Sequence, residues 1–110
     1  MNLRIEHQEM GSNKYMIKLI GEVDAYTAPN LREELIPLVE KGGDVVTIDL
    51  SETEYMDSTG LGIIIAGLKA AKKSGSALEI GEMTPRVERL FKITGLLDVL
   101  NNDDTVKEGK

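Results

Sequence analysis

The segment from Asp57 to Gly62, with the sequence DSTGLG, contains the residue types most suited to chemistry, because two hydroxyls follow a carboxylate. A polar stretch precedes this segment and apolar residues at helical spacing follow it, so we predict that a helix begins near Ser58. The first N–H groups of a helix have no intrahelical partners, and the helix dipole adds partial positive charge there. An anion such as a phosphate on Ser58 would therefore be stabilised.

The same residues also have an ordinary structural interpretation. Aspartate and serine are preferred helix caps, so Asp57 or Ser58 could serve only to begin the helix. Gly60 and Gly62 each cost about 1 kcal/mol of helix stability relative to alanine. Such glycines indicate either close packing of the helix on a sheet or close approach of another molecule. The residue types alone leave both alternatives open.

The surroundings of Ser58 do not indicate catalysis. No glycine stands two residues before it, and the only histidine, His7, is near the N-terminus, so a hydrolase nucleophile is not predicted. The glycine spacing matches neither a dinucleotide-binding turn nor a P-loop. With one histidine and no cysteine, a metal site is not expected. We therefore predict a protein that is not an enzyme and that uses neither a metal nor a cofactor.

The amino-acid composition argues against two classes of binding partner. The net charge of −6 repels phosphate backbones and anionic lipids, so neither nucleic acid nor a membrane is predicted as a partner. The longest apolar run, from Leu61 to Leu68, is too short to span a bilayer. The first residues contain no apolar stretch typical of a signal peptide. We expect a cytoplasmic protein that is a monomer when free.

Hydrophobic periodicity predicts one α/β domain over residues 1–100, with a mixed sheet and helices packed on it, followed by a polar tail at 101–110. The expected order is β-β-α-β-α-β-α-β. Strands are predicted near 3–6, 15–20, 45–50, 77–80 and 99–100, and helices near 28–41, 58–73 and 85–94. Gly95 is expected to cap the last helix.

Several details of these elements are specific enough to be tested. The strand 45–50 is nearly continuous in apolar character, which is typical of a strand covered on both faces. Residues 51–57 are expected to be a polar connection. Pro37 should kink or loosen the first helix. The buried faces are predicted to consist, in the second helix, of Leu61, Ile64, Ile65, Leu68 and Ala71, and in the third, of Val87, Leu90, Phe91 and Thr94.

Three segments together resemble the anti-sigma factor antagonists, which are bacterial members of the STAS domain family. The DSTGLG segment resembles the phosphorylation motif of that family, residues 21–29 resemble its early loop, and residues 90–96 resemble its last helix. The chain is most similar to members that control the general stress sigma factor of Gram-positive bacteria. The branch that serves a sporulation sigma factor has a similar pattern, so this choice stays open.

The resemblance implies a partner-switching mechanism. The unphosphorylated chain would bind an anti-sigma factor that is also a serine kinase, and so release the sigma factor for transcription. Phosphorylation of Ser58 would abolish binding, and a PP2C-type phosphatase would reverse it, while Thr59 stays open as a minor acceptor. The partner-binding residues implied are Asp24, Tyr26, Thr27, Asp57, Ser58, Thr59, Gly60, Leu61 and Gly62. The exposed side of the second helix, with Ile63, Gly67 and Lys69, could extend this surface.

Two other functions remain as alternatives. A STAS domain can stand alone with another task, such as a stressosome component or a binder of nucleotide or lipid-linked ligands. An enzyme is the third hypothesis, which the missing nucleophile–base pair disfavours. For Lys69, Lys72 and Lys73 we favour the ordinary explanation of a solvated helix face.

Overall fold

The computed structural model describes residues 2–101, and within them the chain alternates strands and helices in an α/β arrangement. The order is β-β-α-β-β-α-β-α-α. The strands are β1 (Leu3–Gly11), β2 (Lys14–Val23), β3 (Val45–Leu50), β4 (Thr53–Met56) and β5 (Ala77–Met83). The helices are α1 (Ala28–Glu40), α2 (Ser58–Ser74), α3 (Pro85–Thr94) and α4 (Leu96–Asn101).

The strands form one mixed sheet in the order β1-β2-β3-β5, with β4 also paired to β2. The β1–β2 hairpin is antiparallel, and the other pairings are parallel. The long strand β2 changes partner along its length. Its first half, Lys14–Lys18, pairs with β3, whereas residues Gly21, Glu22 and Val23 pair with β4.

The core lies between the sheet and the helices. Burial alternates along β3, where Val46, Ile48 and Leu50 are fully buried and the residues between them are half-buried. The face that carries Thr47 and Asp49 is half-buried, so the predicted cover of both faces is complete on one face and partial on the other. The largest buried side chain is Phe91 of α3. Other buried core residues include Ile17, Leu19, Val23, Leu31, Leu35, Val39, Leu61, Ile64 and Val87.

The prediction of a polar connection at 51–57 was wrong for Thr53–Met56, which form the strand β4. Its burial pattern does not alternate, since Thr53 and Met56 at its ends are buried and the two residues between them are exposed. The Thr53 hydroxyl donates a hydrogen bond of 2.8 Å to the carbonyl oxygen of Leu19. Pairing with β2, more than thirty residues earlier in the sequence, creates this strand, and local sequence patterns do not report such long-range contacts.

The predicted last strand at Val99 and Leu100 is also corrected, because both residues belong to α4. Gly95, at a φ of +79°, caps α3 as predicted, and the chain turns directly into the short helix, which the buried Leu96 anchors. The predicted tail begins inside α4, since Asn101 is its last residue. Residues 102–110 lie outside the described residues.

The helices follow the predicted faces with three changes. Ile65 is 38% exposed rather than buried, and Gly67 takes its place in the α2 interface, where an added Cβ would lie 2.8 Å from Cδ2 of Leu35 on α1. Thr94 is exposed, and its hydroxyl donates to backbone oxygens of its own helix. The helix α1 continues past Pro37 as one helix to Glu40, close to the predicted end at residue 41.

Gly21 is the point at which β2 changes partner. Its φ is +116°, and its N–H donates a 3.1 Å hydrogen bond to the carbonyl oxygen of Glu52. An added Cβ would lie 2.3 Å from the carbonyl oxygen of Asn2. Nearby, the Lys18 ammonium lies 2.7 Å from the Glu52 carboxylate, and this hydrogen bond raises the pKa of Lys18 above its usual value. The turn before β4 is thus held on β2 by a backbone hydrogen bond and an ion pair.

We predict that Gly21→Ala lowers the free energy of unfolding by about 2 kcal/mol or more, measured by urea denaturation. The positive φ costs about 1–3 kcal/mol for a residue with a side chain, and the clash with a backbone oxygen adds to it. Gly43→Ala is the matched control, since its φ is +78° but nothing lies within 4 Å of an added Cβ. Equal losses in the two variants would contradict a role for the contact with Asn2.

Candidate functional site

The loop between β2 and α1 is organised around the carboxylate of Asp24. Its Oδ1 accepts hydrogen bonds from the backbone N–H of Tyr26 at 2.9 Å and from that of Thr27 at 3.1 Å. The Thr27 hydroxyl donates to the carbonyl oxygen of Glu22 at 2.8 Å and accepts from the backbone N–H of Asp24 at 2.9 Å. Asp24 and Thr27 are buried, whereas Tyr26 projects into solvent. The loop is therefore a closed hydrogen-bonded turn with one exposed aromatic residue.

At the start of α2, Asp57 and Ser58 have different roles. Oδ1 of Asp57 accepts hydrogen bonds from the backbone N–H groups of Thr59 at 2.9 Å and of Gly60 at 3.4 Å. Asp57 is therefore the cap, and Ser58 is the first helical residue with an exposed side chain. Because another residue caps the helix, the Ser58 hydroxyl is not needed to begin it.

The Asp24 loop and the start of α2 lie side by side. Val23 stands opposite Met56 in the β2–β4 ladder, and the N–H of Asp57 donates to the carbonyl oxygen of Val23 at 3.2 Å. The strand ends therefore deliver the Asp24 loop and the start of α2 to the same edge of the sheet. We call the surface formed by Tyr26, Ser58, Thr59 and Gly62 the switch surface.

The two glycines of the DSTGLG segment have different surroundings. An added Cβ at Gly60 would lie 2.7 Å from Cγ1 of Val23 and 2.8 Å from Cγ of Met56, so this glycine allows α2 to pack closely on the sheet. Nothing lies within 4 Å of an added Cβ at Gly62, which is exposed. Close packing therefore explains Gly60, and only Gly62 remains available for approach of another molecule.

The residues predicted to bind a partner divide by burial. Tyr26, Ser58, Thr59 and Gly62 are exposed and Asp57 is half-buried. The buried members are Asp24, Thr27, Gly60 and Leu61. On the proposed extension along α2, Lys69 is exposed and Ile63 half-buried, but Gly67 is buried against Leu35, so its backbone is not part of an accessible surface.

A shallow depression beside the Asp24 loop contains residues that the sequence analysis missed. It is lined by Glu22, Asp24, Glu54, Tyr55 and Arg86. Tyr55 and Glu54 lie in β4, which was not predicted, and Arg86 comes from the first turn of α3. Their proximity depends on the β2–β4 pairing, so no local signal in the sequence could have identified them.

This site offers binding surface and an accessible hydroxyl rather than an activated nucleophile. The single histidine of the chain lies in β1, where its Nε2 is 2.5 Å from Oε1 of Glu34 on α1. Ser58 therefore has no imidazole base. Among residues 2–101, no cluster of three or more potential ligands is arranged to hold a metal ion. No helix in the same part of the chain has the length and apolar character needed to cross a bilayer.

We predict that Asp57→Ala lowers the free energy of unfolding by about 1 kcal/mol, because two N–H groups of α2 lose their acceptor. Ser58→Ala should change it by less than about 0.5 kcal/mol, since an exposed, non-capping side chain is removed. Urea denaturation of both variants measures the difference. A larger loss in the Ser58 variant would mean that Ser58 contributes to the cap.

The glycines give a second stability prediction. Gly60→Ala should lower the free energy of unfolding by about 1–3 kcal/mol, because the new methyl group overpacks the contact with Val23 and Met56. Gly62→Ala should raise it by up to about 1 kcal/mol, because alanine favours the helix and meets no neighbour. Thermal melting of the pair provides the comparison, and destabilisation of both variants to the same degree would contradict their different surroundings.

Two known proteins are similar in sequence to this chain over most of its length. The chain is 42% identical over 101 residues to the anti-sigma-B factor antagonist of Bacillus subtilis, which covers 92% of this chain and 91% of that protein. It is 43% identical over 100 residues to the anti-sigma-B factor antagonist of Listeria monocytogenes, which covers 91% of this chain and 88% of the relative.

The solved structure of an anti-sigma factor antagonist from Mycobacterium paratuberculosis is also similar. It superposes with a TM-score of 0.76 at 25% sequence identity, over 90% of this chain and 83% of that chain. The predicted α/β class with a mixed sheet is thereby confirmed. Residues 4–109 match the STAS domain, and together with the two relatives above 40% identity this match shows that the chain belongs to the STAS domain family.

Proposed function

We propose that this protein is an anti-sigma factor antagonist that is switched by phosphorylation of Ser58. The observation that carries the proposal is the exposed Ser58 hydroxyl at the first residue of α2, beside the Asp24 loop, with the capping role taken by Asp57. Relatives of the chain with about 40% identity are anti-sigma-B factor antagonists, which favours the general stress branch over the sporulation branch.

In this mechanism the unphosphorylated protein binds an anti-sigma factor through the switch surface and so releases the sigma factor. The anti-sigma factor is also the serine kinase that modifies Ser58, and a PP2C-type phosphatase restores the binding form. Because sigma factors act on transcription inside the cell, this function would take place in the cytoplasm. The chain itself contributes a surface and an acceptor hydroxyl, and the kinase and phosphatase supply the catalysis.

The bulk and the hydration shell of a phosphate explain why it would end binding. A phosphoserine carries about −1.5 to −2 charges and a hydration shell. Asp57 already accepts the N–H groups of Thr59 and Gly60, so these two groups are not free to stabilise a phosphate on Ser58, contrary to the expectation from the sequence. The phosphate would then project outward rather than fold over the helix start. It would therefore obstruct the partner without rearranging the fold.

We predict that Ser58→Ala abolishes phosphorylation and leaves partner binding intact, because it removes only an exposed hydroxyl. Ser58→Asp should weaken binding at least tenfold, though less than phosphorylation does, because aspartate carries one charge and fewer acceptor oxygens. The measurements are calorimetric titration against the anti-sigma factor of the same bacterium, and intact-mass spectrometry after incubation with it and ATP.

Thr59→Ala is the matched control, since it removes the neighbouring exposed hydroxyl. This variant should still accept one phosphate. If Ser58→Ala accepted a full phosphate and Thr59→Ala did not, Thr59 would be the acceptor. If the unmodified chain did not bind the anti-sigma factor, the proposed function would be wrong.

A further inference from the structure

The Asp24 loop presents a single large side chain to solvent. Tyr26 is 86% exposed, whereas its neighbours Asp24 and Thr27 are 8% and 5% exposed. The three residues were predicted together as partner contacts, but only Tyr26 can touch another protein without movement of the loop. The other two face inward and bind each other and the backbone.

The backbone that carries Tyr26 is held on both sides. Its own N–H donates to Oδ1 of Asp24, and the N–H groups of Thr27 and Ala28 both donate to the carbonyl oxygen of Asp24, at 3.2 and 2.7 Å. The Thr27 hydroxyl joins this turn to the end of β2 through Glu22. Little backbone freedom would therefore be lost on binding, which is how a preorganised loop contributes to affinity.

We propose that Tyr26 is an aromatic anchor that inserts into an apolar pocket of the anti-sigma factor, and that Asp24 and Thr27 are positioning residues that act through it. This inference rests on the proposed function and assigns separate roles within its contact surface. Tyrosine combines a large contact area with few rotatable bonds and is enriched among residues that dominate interface energies.

The charges around the loop define the chemistry of the partner. Glu22, Asp24 and Glu54 line the depression next to the loop with one basic residue, Arg86. A pocket that receives Tyr26 beside these carboxylates would need a basic rim for electrostatic complementarity. The occupant of this surface is therefore an anti-sigma factor whose apolar pocket is bordered by lysine or arginine.

The principal experiment compares Tyr26→Ala with Ile93→Ala by calorimetric titration against the purified anti-sigma factor of the same bacterium. Ile93 is the matched control, because it is 75% exposed but lies two turns further along α3 than Arg86, roughly 10 Å away along the helix axis. Tyr26→Ala should weaken binding about 30-fold or more with an unchanged melting temperature, whereas Ile93→Ala should change it less than threefold.

A second measurement separates positioning from contact. Thr27→Val removes the hydroxyl that joins the turn to Glu22, and Thr27→Ser retains it. The valine variant should show faster amide hydrogen exchange at Tyr26 and weaker binding, and the serine variant should restore both. In the Tyr26→Ala background, Thr27→Val should cause little further loss of affinity, because residues that act through one another are coupled in a double-mutant cycle.

The outcomes distinguish this inference from the function on which it rests. Normal binding by Tyr26→Ala, while the unmodified chain binds, would overturn the anchor and leave the proposed function standing. Additive losses from the Tyr26 and Thr27 variants would overturn the positioning role. Failure of the unmodified chain to bind would overturn the proposed function, and the anchor with it.

Discussion

The pairing of the last residues of β2 with β4 is the constraint on which the site depends. Residues 22–23 and 55–56 form this short parallel ladder, and the bond from the Asp57 N–H to the Val23 carbonyl oxygen extends it by one step. Each strand leads directly into a segment of the candidate site, so this contact sets the distance between the Asp24 loop and the start of α2. Gly60 allows the helix to lie against the same pair of strands. The arrangement of the candidate site therefore depends on the register of the β2–β4 pairing more than on the sequence of either segment.

Local signals predicted the elements whose ends are chemically marked. Thr84 followed by Pro85 predicted the start of α3, and in the structure the Thr84 hydroxyl accepts a hydrogen bond from the N–H of Val87 while Pro85 is the first helical residue. Gly95 likewise marks its end. Such caps depend on residues only a few positions apart, so periodicity and residue type are sufficient to find them.

The missed elements depend on contacts between distant residues. Residues Thr53–Met56 form the strand β4 because β2 provides a pairing partner. Buried and exposed positions do not alternate along these four residues, so the sequence pattern did not indicate a strand. Val99 and Leu100 are typical of a strand by type, yet they follow a helix cap and continue into another helix. Similarly, Gly67 rather than Ile65 lies on the buried face of α2 because α1 approaches closely at Gly67. The sequence of α2 alone does not reveal this contact between helices.

The sequence predicted which segments form the candidate site, but not the role of each residue within them. The family resemblance predicted one group of partner-binding residues. The structure divides this group into exposed residues and buried residues that hold the exposed ones in place. Capping illustrates the difference: Asp57 and Ser58 are both good caps by type, and only the geometry shows that the carboxylate takes the N–H groups of Thr59 and Gly60. A capped helix start does not need the serine, so the hydroxyl can be modified while the helix remains intact. Under the proposed function, this division would let partner binding change without a change of fold, because the atoms that hold the helix and the atom proposed to carry the phosphate belong to different residues.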